Sequence, residues 1–92
     1  METFIGDTVK ITLRTGIDLS TYTYLKMRYK KPNGSIGEWI ATLSVDDSTC
    51  MEHTTLITEL DIEGEWIVQA YVVSAGIVLH GAWASFKVLK PL

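Results

Sequence analysis

Polar and apolar residues alternate with a period of two through most of this chain, the spacing at which successive side chains of a β-strand point to opposite faces. Val9, Ile11 and Leu13 share one phase, while Thr8, Lys10, Thr12 and Arg14 share the other. After a stretch of turn formers at 15–21 the alternation resumes, with Leu25, Met27 and Tyr29 on one face and Lys26, Arg28 and Lys30 on the other. Lys31-Pro32-Asn33-Gly34 predicts a tight connection, because Pro presets φ for a turn and the next two residues tolerate positive φ. A strand from Glu38 follows, with Trp39, Ala41, Leu43 and Val45 in one phase, and Asp46-Asp47-Ser48 ends it because such short side chains bond the local backbone. A Thr-rich strand is expected over 49–58, with Met51, His53, Thr55 and Ile57 in phase. Its mixed faces predict an edge.

The most informative stretch is Leu60 to Tyr71, where an acidic corner containing Gly64 leads into a long strand with Trp66 near its start. The corner needs Gly64 for a backbone reversal without a Cβ penalty, and Trp66 is the side chain that anchors the incoming strand in a core. Beyond it Trp66, Val68, Ala70 and Val72 alternate with Ile67, Gln69, Tyr71 and Val73, and two largely apolar faces predict a central strand. Ser74-Ala75-Gly76-Ile77 supplies a hairpin, and Gly81 within the returning segment, Val78 to Leu89, predicts a bulge or bend. About seven short antiparallel strands, frequent turn signals and no helical periodicity predict an all-β fold: an immunoglobulin-like Greek-key β-sandwich.

Composition narrows this further. A chain of 92 residues fits one domain, 1–92, with a single modest core. Hydrophobic residues at 47% and charged residues at 21% exclude disorder. A net charge of −3 gives no broad attraction to phosphate backbones, so nucleic acid is not an expected partner. Cys50 is the only cysteine, so no intrachain disulfide joins the sheets. No apolar run approaches the roughly 18 residues of a membrane span, and the first residues lack a signal-peptide pattern, so no membrane partner is expected and the protein is expected in the cytoplasm or in an assembly built there.

Catalytic chemistry has little to stand on. His53 and His80 lie on different strands without the spacing of a metal-ligand motif, and no cofactor or metal is expected. No GxSxG elbow surrounds any serine, and Cys50 reads as a buried structural thiol. The acids at 46–47 and 61–65 sit in turns, where carboxylates are ordinarily solvated. No enzyme is expected. The aromatic residues Trp83, Tyr71, Tyr22 and Tyr24 form the candidate partner-binding surface, and Trp83, out of phase with Ala82, Ala84 and Phe86, is the one expected to be exposed. Such residues equally suit a platform for a sugar ring, so a carbohydrate-binding or adhesion module recognising a bacterial surface is the alternative.

Ile5-Gly6-Asp7-Thr8, Thr15 to Ser20, Lys30 to Gly34 with Glu38-Trp39, Leu60 to Tyr71, His80-Gly81 and Phe86-Lys87-Val88, taken together in this order, resemble small immunoglobulin-like structural and accessory proteins of tailed bacteriophages and prophages. The similarity covers nearly the whole chain. It implies a non-enzymatic virion protein of head, tail or baseplate that acts through protein–protein contacts, residing in the virion or in the host cytoplasm before assembly. No catalytic residues carry over from the resemblance. Partners would be other proteins of the particle or further copies of the chain, through strand edges.

Overall fold

The computed structural model describes residues 2–92 as eight strands with no helix among them. These are β1 (Glu2–Phe4), β2 (Lys10–Arg14), β3 (Tyr24–Lys30), β4 (Ile36–Ile40), β5 (Thr42–Leu43), β6 (Cys50–Thr54), β7 (Gly64–Ser74) and β8 (Ile77–Leu89). A five-stranded sheet in the order β1-β8-β7-β3-β4 packs on a three-stranded sheet in the order β2-β6-β5. The chain is therefore a β-sandwich, as the alternation requires. One pairing departs from the all-antiparallel expectation: β1 runs parallel to β8, Glu2 opposite Lys87 and Phe4 opposite Leu89.

The core lies between the sheets and follows the phases of the sequence. Ile11, Leu13, Met27, Trp39, Met51, Trp66, Val68, Ala70, Val72, Phe86 and Val88 are all buried. Trp66, fully buried, donates from its indole Nε1 to the carbonyl of Ile62 at 2.9 Å, so its one polar atom is satisfied without leaving the core. Tyr29, Trp39 and Trp66 stand in mutual contact, with centroids 4.7 Å apart for the first pair and 5.7 Å for Tyr29 with Trp66. Phe86 extends the stack at 6.2 Å from Trp66. β7 is central between β8 and β3, as its two apolar faces predict.

The corner is as expected and more tightly constrained. Gly64 has φ +130°, and a Cβ there would meet the Pro32 ring at 2.7 and 2.8 Å, so the Lys31–Gly34 turn packs against the corner. Lys31 completes that junction: its Nζ reaches Asp61 at 3.0 Å and lies 5.5 Å from the centre of the Trp66 ring. Lys31 is largely covered, with its ammonium over the Tyr29 and Trp66 rings and beside Asp61. At the last hairpin both turn residues have positive φ, +47° at Ala75 and +83° at Gly76, the handedness that matches strand twist.

Two strand assignments change. The strand begun near Glu38 does not run to Val45: it breaks at buried Ala41, where the chain leaves the large sheet for the small one, and Val45 is 94% exposed. The Thr-rich strand ends at Thr54 and, as β6, is the centre of the small sheet instead of an edge. β2 pairs with it along its whole length and β5 with Met51 and Glu52 on the other side. His53 accordingly does not sit on a solvated edge. It is paired with Ile11 and turned inward, stacked on Trp39 at 4.7 Å and 14°.

Candidate functional site

The outer face of the five-stranded sheet gathers most of the candidate surface. Cross-strand register places side chains in rows: Trp83, Gln69, Arg28 and Glu38; then His80, Tyr71, Lys26 and Ile40; then Val78, Val73 and Tyr24. Residues directly opposite each other in a sheet point to the same side, so these rows form one surface. Trp83 is 65% exposed, as its phase predicts, and Tyr24 is 59% exposed. Ile36 and Ile40 add exposed apolar area on β4.

Tyr71 is held from two sides. Its ring packs on His80 at 4.9 Å and 57°, and the Arg28 guanidinium lies 5.9 Å above the ring centre. Glu38 takes both neighbouring cations, Lys26 at 3.3 Å and Arg28 at 3.9 Å. The basic stripe of β3 is thus partly neutralised from β4. Exposed pairs of this kind contribute little to stability but fix where the charge sits.

Tyr22 lies apart from this surface. It precedes β3, donates its amide to the Leu19 carbonyl at 3.2 Å and packs half-buried against the core cluster. Trp83, Tyr71 and Tyr24 are therefore brought together, and Tyr22 is not. Trp83 and Tyr24 are separated by two inter-strand spacings, with β7 between them, and about four residues of rise, about 17 Å, which exceeds the width of one sugar ring.

The phase change on β8 that brings Trp83 and His80 to one side comes from a bulge. Gln69 faces Trp83 whereas Tyr71 faces His80, so β8 carries an extra residue at Gly81, the position where a bulge was expected. Gln69 Nε2 donates to the Gly81 carbonyl at 3.3 Å, which satisfies part of the interrupted ladder.

Among the other groups, His53 has an ordered environment that the sequence did not reveal. Its Nδ1 lies 3.0 Å from the Ile40 carbonyl and its Nε2 3.1 Å from Glu59 Oε1, which also accepts the Leu56 amide at 2.7 Å. This is a clamp from β6 to the end of β4 and to the loop that follows β6, with no nucleophile among the partners. Asp18 and Asp47 are held below the ordinary carboxylate range: Asp18 by the Ser20 amide and then its hydroxyl, Asp47 by the Thr49 hydroxyl and then its amide. Both are turn caps at the surface. Among the described residues no three His, Cys, Asp or Glu side chains converge as a metal site requires, and Cys50 is buried and free.

No family model matches the chain, and no curated protein matches it. Among solved structures, CopC from Methylosinus trichosporium is similar with a TM-score of 0.63 at 18% identity, over 97% of this chain and 83% of that one. A protein from Bacteroides vulgatus assigned as a glycoside hydrolase is similar with a TM-score of 0.62 at 10% identity, over 98% of this chain but 16% of that one. At such identities the likeness is one of fold, and what these comparisons establish is the β-sandwich itself.

Proposed function

We propose that this domain is a non-enzymatic structural or accessory protein of a tailed phage or prophage virion, working through protein contacts made by the outer face of the large sheet. The observation that carries the contact surface is Trp83, two-thirds exposed beside Tyr71, His80 and the exposed isoleucines of β4. Large exposed aromatic side chains are the usual anchors of protein interfaces, and burying one contributes far more than a rim charge. The assignment to a virion rests on the resemblance of the sequence to phage immunoglobulin-like proteins. The wide spacing of Trp83 from Tyr24 favours a broad protein partner over a single sugar ring.

Trp83→Ala is expected to weaken binding to a purified head, tail or baseplate component at least about tenfold, with the melting temperature nearly unchanged, because the residue is outside the core. Titration calorimetry against each component measures this. Unaltered affinity for every binding component would remove Trp83 from the interface, and no binding to any of them would leave the virion role without support.

A further inference from the structure

The large sheet is closed along β8 for only a short distance. β1 covers Lys87 to Leu89, and among the described residues no strand pairs with the same side of β8 from Ile77 to Ser85. This open edge is about 30 Å long. Every residue along it whose burial is described is exposed, including Ile77, Val78, Leu79 and Trp83. The segment carries no charged side chain, counting His80 as neutral.

Strand edges in soluble proteins are guarded by charge, brevity or cover, because unpaired backbone groups attract other strands. The chain's other edges follow that rule: Glu38 stands on β4, Glu2 on β1, Lys10 and Arg14 on β2, and β5 has two residues. The upper half of β8 is unguarded. Pairing it with any of the longer charged edges would set a charge against apolar side chains, whereas pairing it with itself would not.

We propose that this edge is a homodimer interface, in which β8 of a second copy pairs antiparallel across a two-fold axis and joins two five-stranded sheets into one of ten. The bulge fixes the register. Facing residues must point to the same side of the joined sheet, and an unbulged strand meets that condition only with the axis through a residue. In β8 the phase changes between His80 and Trp83, so the condition is met with the axis between Gly81 and Ala82. Trp83 then faces His80 of the second copy, Val78 faces Ser85, and Leu79 faces Ala84. The aromatic group Tyr71–His80 of each copy gains an indole beside it. The outer faces of the two copies become continuous, so this inference rests on the contact surface proposed above and doubles it.

Two double variants with the same sites test the register. In V78K/S85K like charges face each other twice across the axis; in V78E/S85K opposite charges do. Sedimentation of the wild-type chain is expected to give a two-chain mass at about 100 µM that dissociates on dilution, with amide exchange at 77–85 slowing as concentration rises. V78K/S85K is expected to weaken the dimer at least about tenfold relative to V78E/S85K. Both sites are on the exposed outer face, and near-ultraviolet dichroism confirms folding; if a variant does not fold, the wild-type mass and exchange profile decide alone. A wild-type chain that stays monomeric to about 1 mM, a dimer without slowed exchange at 77–85, or folded doubles of equal affinity overturns the proposal. A monomer that still binds a virion component through Trp83 would overturn the dimer and leave the contact-module reading intact, while a dimer that binds none would do the reverse.

Discussion

Gly64 shows how a single position can be fixed twice over. Its φ of +130° lies where side chains are strained, and the Pro32 ring occupies the space a Cβ would need. Gly64→Val should therefore cost at least about 2 kcal/mol, from backbone strain and from displacement of the turn that carries Lys31 onto Trp66. Gly76→Asn is the contrast: φ is +83° there too, but a Cβ meets nothing within 4 Å and Asn tolerates that conformation, so the cost should stay below about 1 kcal/mol. Urea denaturation of both variants measures the difference. Equal costs would mean that the packing of Pro32 against the corner contributes nothing.

At the scale of elements, the phases of β2, β3 and β7 were legible because each strand lies wholly in one sheet with one buried face. Trp83 is exposed as its phase predicts, although on β8 from Ile77 to Ser85 residues of both phases are exposed. Where the chain changes sheets the pattern misleads. Trp39, Ala41 and Leu43 keep their alternation through the switch at Ala41, and nothing in a period of two marks it. β6 looked like an edge because Thr and His fill it, yet its small sheet is narrow enough for polar residues to remain half-exposed at the centre. Tyr22 reads as one of the surface aromatics because nothing in the sequence marks the loop before β3 as folding back onto the core. The inward His53 is the element-level consequence of that centre position. His53→Phe keeps a ring against Trp39 but removes both polar contacts, so it should destabilise by about 1–2 kcal/mol in urea titrations, mainly by leaving Glu59 and the Ile40 carbonyl without the imidazole. A neutral or stabilising result would show the clamp to be incidental.

For the molecule as a whole, acid is the condition that should reveal the turns. Hydrogen bonds hold the Asp18 and Asp47 carboxylates below their unfolded values, so their contribution is complete above about pH 4 and is lost as pH falls through the lowered folded values. Melting temperature is thus expected to fall between about pH 4 and pH 2 and to fall less steeply in a D18N/D47N variant, as thermal melts across that range would show. Parallel slopes for variant and wild type would assign the acid sensitivity to other groups. The parallel alignment of β1 with β8 bears on a different property, the response to pulling. Tension entering at Glu2 and leaving at Leu89 acts along that ladder in opposite senses on its two strands, so its rungs are sheared together instead of being peeled apart in turn. Held by its two ends within a larger filament, the sandwich would resist extension first at the three rungs that join β1 to β8.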